Sequence, residues 1–270
     1  MTTSEPLSAV SRTAISVARV RALESERPDG LFHDPYAAAF VAASGYPTGG
    51  QPGPFALKLA HHTVLRTRFY DDSLLAAVAA GCRQVVLPAA GLDTRAYRLD
   101  WPSGVRLYEL DLPPVLDFKS RVLDGLDARP RCIRTALPVD LLDADWPDRL
   151  IEAGFDPGER TAWLVEGLLM YLSAEQAATL LRTVGQLSMS GSWLTLERGR
   201  NPSVAAGDPS VDHITSLWRG GLGPALGDWL GRHGWQVETH LIPALSARYN
   251  RPGAGPTQGG FHTATYAGAP

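Results

Sequence analysis

Residues 84–111 read QVVLPAAGLDTRAYRLDWPSGVRLYELD, and this stretch decides the fold. QVVLPAA (84–90) is a short apolar run that ends in small residues, which is typical of a strand buried on both faces. VRLYELD (105–111) is a second strand of the same kind. Two buried strands this close along the chain predict neighbours in a parallel sheet.

Further strands follow the opening pair, with helical stretches between most of them. SAEQAATLLRTVGQLS (173–188) predicts a helix that Ser173 and Gln176 cap together. The alternation predicts a doubly wound, mostly parallel sheet of seven strands. The last two strands have only a Gly/Pro-rich loop between them, which predicts an antiparallel hairpin. The additional strands are predicted at 131–140, 161–167, 191–197, 235–242 and 261–267.

The residues before the first strand are predicted to be helical. Asp34-Pro35 is a cap with a first-turn proline, and residues 55–80 predict a long helix that Gly81 closes. The Gly/Pro-rich stretch 44–54 separates the two helical parts. We therefore predict an N-terminal helical cap or lid at 1–54. A main domain follows at 55–270, with a substrate-side insertion at about 198–225.

Composition excludes several classes of protein. The net charge is −3 without a basic run, so a nucleic-acid partner has no electrostatic footprint. Cys82 and Cys132 lack metal-ligand spacing and predict plain core thiols. No apolar run approaches a membrane span, and the N-terminus lacks a signal-peptide pattern. We expect a soluble, cytoplasmic protein without metal.

The turn after the first strand is the expected ligand site, because doubly wound sheets bind ligands where the strand order reverses. It reads Ala89-Ala90-Gly91-Leu92-Asp93. Gly91 allows a sharp turn, and the alanines leave room for a ligand, although a purely structural turn has the same pattern. Asp93 lies where a dinucleotide would place its pyrophosphate. Its charge favours the cationic S-adenosylmethionine over NAD.

Acidic residues end the next three strands. Glu109 and Asp111 follow Gly91 at the distance where ribose hydroxyls are bound, and both point to one side of the strand. One of them can bind ribose while the other braces the next helix. Asp140 with Leu141 is placed to contact adenine, or is a solvated loop acid. Glu166 leaves an apolar strand, where an unpaired carboxylate is costly, so an amino group or an arginine is its expected partner.

Five ordered motifs together resemble the leucine carboxyl methyltransferase family, in its actinobacterial branch of small-molecule or uncharacterised enzymes. Similarity to that branch also covers 13–40 and 217–235, and so nearly the whole chain. The resemblance implies a Rossmann-like methyltransferase fold that uses S-adenosylmethionine. The motifs are VLRTRFYDD (64–72), AAGLDTRAYRL (89–99), YELDLPPVLDFK (108–119), PVDLLDADWP (138–147) and VEGLLMYLSAEQ (165–176).

The resemblance also implies roles for single residues. Arg66 would pair with the methionine carboxylate, with Arg68 close enough to exchange roles with it. Glu166, next to Gly167, would take the methionine amino group. For the nucleoside, the implied residues are Ala89 and Gly91 in the turn, Asp111 with Glu109 at ribose, and Asp140-Leu141 at adenine.

The chain departs from the family pattern in two places. Ala89 stands where the family commonly has glycine, and Pro88 is unusual at a strand end. The protein-modifying branch has a lysine near its N-terminus, whereas residues 11–14 here read SRTA. This difference favours a small-molecule acceptor over a protein C-terminus.

The acceptor side lacks a diagnostic motif. A carboxylate acceptor needs no base, whereas a hydroxyl acceptor would need one, for which Tyr171, His213, His61 and His62 are weak candidates. Arg200, Asn201 and Trp218 are expected in the substrate wall. We predict O-methylation of a small carboxylic acid or hydroxylated metabolite, plausible in specialised metabolism. The alternatives are a non-catalytic cofactor binder and an NAD-dependent oxidoreductase.

Overall fold

Seven strands form one sheet in the computed structural model, which describes residues 9–45, 53–198, 215–253 and 259–268, with side chains from residue 13 onward. The spatial order is β3-β2-β1-β4-β5-β7-β6. The strands are β1 (Gln84–Pro88), β2 (Arg106–Asp111), β3 (Ile133–Pro138), β4 (Thr161–Val165), β5 (Trp193–Glu197), β6 (Trp235–Leu241) and β7 (Gly260–Tyr266).

The first five strands are parallel, and β7 inserts antiparallel between β5 and β6. The order reverses between β1 and β4, which makes their carboxyl ends the switch point. The predicted Rossmann-like, mostly parallel seven-stranded sheet with an antiparallel C-terminal pair is therefore confirmed.

One detail of the last pair was predicted wrongly. A helix, Ile242–Arg248, lies between β6 and β7, where the sequence predicted only a loop. Pro243 stands in its first turn, and Ile242 and Leu245 are buried. Seven residues place too few apolar side chains on one face for helical periodicity to be visible in the sequence.

Helices pack on the sheet, and two of them begin next to capping residues that the sequence predicted. Ser173 and Gln176 form the predicted capping box. Asp34 Oδ1 accepts hydrogen bonds from the N–H groups of Tyr36 and Ala37 at the start of the second helix. The helices are α1 (Ala9–Ser25), α2 (Ala37–Ser44), α3 (Pro54–Ala79), α4 (Arg95–Arg98), α5 (Pro113–Asp124), α6 (Trp146–Glu152), α7 (Ala174–Gln186), α8 (Leu226–Arg232) and α9 (Ile242–Arg248), with short 3-10 turns at Leu169–Tyr171 and Gly223–Ala225.

Each face of the sheet carries its own apolar core. The N-terminal helices share the core of the face that α3 covers, because Ile15, Ala18 and Phe40 are buried there beside β1 residues such as Val85. The other face packs against α6, α7 and α8. The division at residue 54 and the lid role of the N-terminal segment remain predictions.

The described residues contain neither a helix that could cross a membrane nor a group of side chains that could hold a metal ion. Cys82 and Cys132 are both free thiols, the first buried and the second partly buried. Burial raises the pKa of Cys82 to about 11 and that of Cys132 to about 12.

Candidate cofactor site at the strand ends

The turn after β1 runs through two residues in the left-handed region, Ala89 with φ 55° and Gly91 with φ 51°. An alanine is strained there, which explains why glycine is the commoner residue at position 89 in the family pattern. At Gly91 a Cβ would lie 3.7 Å from Ala14 Cβ of α1 and 4.0 Å from the Ala89 carbonyl oxygen, both ordinary contacts, so the backbone angle rather than space requires glycine.

The N-terminal helices hold this turn in place. Arg21 of α1 donates from Nη2 to the carbonyl oxygen of Leu92 at 2.6 Å. Thr94 Oγ1 donates to Asp34 Oδ2 at 2.7 Å. The turn is therefore fixed by side chains from both the long N-terminal helix and the start of α2.

Asp111, the last residue of β2, binds the same turn from the other side. Its Oδ2 accepts the N–H of Gly91 at 2.6 Å, and its Oδ1 accepts the N–H of Leu112 at 2.7 Å. Burial raises the pKa of Asp111, although both backbone hydrogen bonds act in the opposite direction. The carboxylate is thus placed at the turn by backbone groups.

Glu109, two residues before Asp111, binds side chains of the next helix and the next strand. Its side chain is fully buried, and its Oε2 accepts hydrogen bonds from Lys119 Nζ of α5 and Arg134 Nη2 of β3, both at 2.7 Å. Lys119, which is buried, and Arg134, which is partly buried, therefore already pair with this carboxylate, and a contact of Glu109 with ribose stays a prediction.

Glu166 follows β4 directly and lies between two arginines. Its carboxylate oxygens are 2.9 Å from Arg66 Nε and 2.9 Å from Arg95 Nη1, while 20% of its side chain is exposed. Burial would raise the pKa of Glu166, but Arg66 and Arg95 together hold it below its usual value. Glu166 is therefore an ionised acid that is still open to solvent.

Arg66 projects from the middle of α3 and is buried between two acids. Besides Glu166, its Nη1 donates to Glu197 Oε1 at 2.7 Å. Burial alone would lower the pKa of Arg66, yet Glu166 and Glu197 raise it. Arg68 instead pairs with Asp72 at 3.1 Å and donates to the carbonyl oxygen of Leu31.

Two charged residues of the site were missed by sequence reasoning. Glu197 ends β5 as Glu166 follows β4, and the same signal, an acid at the end of a buried strand, applied to it. Its Oε2 accepts the N–H of Gly167 at 2.9 Å. Arg95 lies within the motif 89–99, but nothing in the sequence shows that it is buried.

Asp93 is neutralised inside the turn. Its Oδ1 accepts the N–H of Arg95 at 2.7 Å, and its Oδ2 forms a short ion pair with the Arg95 guanidinium. Burial would raise the pKa of Asp93, but Arg95 and more distant cations lower it to about 2. The expected repulsion of a pyrophosphate is therefore weaker than its sequence position suggested, because Arg95 offsets the charge.

The residues predicted to contact the adenine follow β3. Asp140 is exposed, and its Oδ1 accepts the N–H of Leu142 at 2.9 Å, while Leu141 is partly buried.

The candidates for a base and for the substrate wall lie on several elements. Tyr171 lies in the 3-10 turn after β4, and Trp218 is partly buried. His61 lies 3.1 Å from the Arg251 carbonyl, and His62 packs against Phe261. Three predicted residues lie outside the described ranges: His213, Arg200 and Asn201.

Comparison with known proteins gives consistent results. The family model described as leucine carboxyl methyltransferase matches residues 14–185. A protein of Frankia alni, named "putative S-adenosyl-L-methionine-dependent methyltransferase", is 50% identical and covers 95% of this chain and 94% of its own length. A protein of the same description from Streptomyces coelicolor is 43% identical and covers 91% of this chain and 89% of its own.

Solved structures show the same fold at low sequence identity. Magnesium protoporphyrin IX methyltransferase from Synechocystis PCC 6803 with bound SAH has a TM-score of 0.53 and 13% identity, and covers 93% of this chain and all of its own. A "putative methyltransferase" from Thermobifida fusca has a TM-score of 0.57 and 16% identity, and covers 95% of this chain and 94% of its own.

Proposed function

This chain belongs to the leucine carboxyl methyltransferase family, and from that premise we propose that it methylates a carboxylate or hydroxyl oxygen of a small-molecule acceptor. It is an S-adenosylmethionine-dependent methyltransferase, and S-adenosylmethionine is its cofactor. The acceptor belongs, in this proposal, to specialised metabolism. A small molecule is favoured because residues 11–14 lack the lysine of the protein-modifying branch.

The observation that carries the proposal is the pairing of Arg66 with Glu166 at the switch point of the sheet. The methionine end of the cofactor has one carboxylate and one ammonium group. A cation and an anion 2.9 Å apart offer a partner to each of them. We therefore assign Arg66 to the methionine carboxylate and Glu166, beside Gly167, to the amino group.

The nucleoside half is assigned to the turn and to the next strand ends. Ala89, Gly91 and Asp93 form the turn against which the cofactor would lie, and Asp111 would accept hydrogen bonds from the ribose hydroxyls. Asp140 and Leu141 would contact the adenine. Asp111 suits this role because backbone N–H groups hold its carboxylate at the turn.

Catalysis in this proposal is mainly a matter of position. The bound cofactor supplies a methyl group activated by a positively charged sulfur. Arg66, Glu166 and Asp111 would fix its two ends, so that the acceptor oxygen meets the methyl group in line and with little water present. A carboxylate acceptor needs no proton transfer. For a hydroxyl acceptor, Tyr171 and His213 remain the candidates for a base.

The test is transfer of a labelled methyl group from S-adenosylmethionine to a panel of small carboxylic acids and phenols. We expect at least one acceptor to be labelled by the wild type. Glu166→Ala and Asp111→Ala should each lower kcat/KM about a hundredfold, because each removes a charged hydrogen-bond partner of the cofactor. Glu238→Ala, at an exposed carboxylate on β6, is the control. Wild-type rates in both site variants would contradict the proposal.

A further inference from the structure

Glu197 occupies a place at the strand ends that the known motifs do not include. It is the last residue of β5, outside the 14–185 region that the family model matches. Its side chain is only 11% exposed. A carboxylate this buried requires partners, and it has two of different kinds: a guanidinium and a backbone amide.

Both partners adjoin the residue assigned to the methionine amino group. Glu197 Oε1 lies 2.7 Å from Arg66 Nη1, while Gly167, directly after Glu166, donates its N–H to Oε2 at 2.9 Å and to Oε1 at 3.1 Å. Gly167 has φ 63°, a left-handed conformation that glycine adopts without strain and that directs its N–H toward Glu197. Glu197 therefore holds Arg66 directly, through its guanidinium, and holds Glu166 indirectly, through the backbone N–H of the next residue.

The contacts of Arg66 also determine which of its nitrogens stays available. Nε faces Glu166, and Nη1 faces Glu197. Within the described residues, the hydrogen bond of the Arg66 guanidinium to a side chain comes from Nη1, and Nη2 donates none. Because a guanidinium is planar and rigid, fixing two of its nitrogens fixes the direction of the third.

We propose that Glu197 is a positioning residue for the methionine end of the cofactor, directing Arg66 Nη2 toward the methionine carboxylate and holding the Gly167 turn. The proposal rests on the function assigned above. It commits Glu197 to the amino-acid half of the cofactor, because neither of its contacts reaches the turn after β1 or Asp111.

Two ligands separate this role from a general structural one. S-adenosylhomocysteine carries the amino-acid end, whereas 5′-methylthioadenosine has the same nucleoside and lacks that end. Calorimetry should show Glu197→Ala binding S-adenosylhomocysteine about tenfold more weakly, with the affinity for methylthioadenosine kept within about twofold. Glu197→Gln should lie between the wild type and Glu197→Ala, because its carbonyl oxygen can still accept one of the two hydrogen bonds. Glu238→Gln is the matched surface control.

A double-variant cycle tests whether Glu197 acts through Arg66. In an Arg66→Ala background, Glu197→Ala should cause a smaller further loss of S-adenosylhomocysteine affinity than it causes in the wild type, because only its contact with Gly167 remains. The proposal is overturned if the two losses add, if Glu197→Ala binds S-adenosylhomocysteine as the wild type does, or if methylthioadenosine is weakened equally. A wild type that binds neither ligand would instead contradict the proposed function.

Discussion

The strand-end site has two parts that hold their acids in different ways. At the ionic end, defined by Arg66, Glu166 and Glu197, the described contacts between the long side chains are ion pairs of 2.7–2.9 Å. At the turn end, defined by Gly91 and Asp111, the carboxylate is held by backbone N–H groups. The first part is held mainly by paired charges, with the backbone N–H of Gly167 as an additional donor to Glu197. In the second part, the hydrogen bonds that Asp111 accepts within the described residues all come from backbone N–H groups.

This difference determines how each part should respond to mutation. Removing one member of a buried ionic network leaves its partners charged and without compensation, so the whole protein loses stability. Removing a carboxylate that only accepts backbone hydrogen bonds leaves N–H groups that water can satisfy near the surface. The ionic end should therefore show large stability effects, and the turn end should show effects on ligand binding with little change in stability.

The largest effect is expected at Arg95, which joins the ionic end to the protein interior. Arg95 is fully buried and pairs with Asp71 at 2.7 Å, with Asp93 and with Glu166. Arg95→Met keeps an unbranched apolar side chain and removes one cation from three acids. Asp93 loses its paired cation, whereas Glu166 keeps Arg66 and Asp71 keeps Arg98. We expect the free energy of unfolding, measured by urea denaturation, to fall by about 3–5 kcal/mol.

Arg131→Met is the matched control for that measurement. Arg131 also pairs with an aspartate, Asp100, but both side chains are largely exposed. Its loss should change stability by less than about 1 kcal/mol. Equal effects of the two substitutions would remove the distinction between the ionic end and an ordinary surface ion pair.

A smaller effect is expected at Asp93 and should depend on pH. The pKa of Asp93 in the folded protein is about 2, below its ordinary value of 3.8, so the ionised form favours folding. This contribution, about 2 kcal/mol, is fully present above pH 4 and is lost as the pH falls toward 2. In urea denaturation, wild type should exceed Asp93→Asn by about this amount at pH 7, and the difference should shrink below pH 4.

A difference between wild type and Asp93→Asn that stays constant from pH 7 to pH 3 would contradict the assignment. It would mean that the carboxylate is not the titrating group responsible for the stabilisation. Asp100→Asn provides the comparison, because Asp100 is exposed and its loss should change the free energy of unfolding by less than about 1 kcal/mol.

Much of the fold could be predicted because buried parallel strands have short, continuous apolar sequences. All seven strands were placed within two residues of their observed ends. The short helix Ile242–Arg248 was missed because its two buried residues do not form a pattern. The fold could therefore be predicted from short sequence patterns, and the prediction failed at a helix too short to show such a pattern.

The site was predictable only where a residue's position along the chain determines its partner. Asp111 lies at the end of its strand, and the contact with Gly91 follows from the neighbouring turn. The pairing of Arg66 with Glu197 joins residues far apart in sequence and depends on how α3 packs on the sheet. Glu109 shows the same difficulty, because strand periodicity gave its direction but not the two cations that enclose it.

The smallest effect is expected at the turn end, in Asp111→Asn. The substitution replaces the carboxylate that would accept hydrogen bonds from ribose with an amide, which is a weaker acceptor. Both S-adenosylhomocysteine and methylthioadenosine contain this ribose. Calorimetry should therefore show both ligands weakened by about tenfold, unlike Glu197→Ala, which should weaken only the first. The free energy of unfolding should stay within about 1 kcal/mol of wild type, because backbone N–H groups near solvent can bind water instead.

The matched control for Asp111→Asn is Asp100→Asn, at an exposed acid to which no role at the cofactor is assigned. Its effect on the affinity for either ligand should stay within about twofold, because Asp100 pairs with Arg131 at the surface. If Asp111→Asn instead unfolds the protein as Arg95→Met is expected to do, the turn end is also part of the structural network. The contrast between an ionic end and a backbone-held end would then fail, since both would stabilise the fold in the same way.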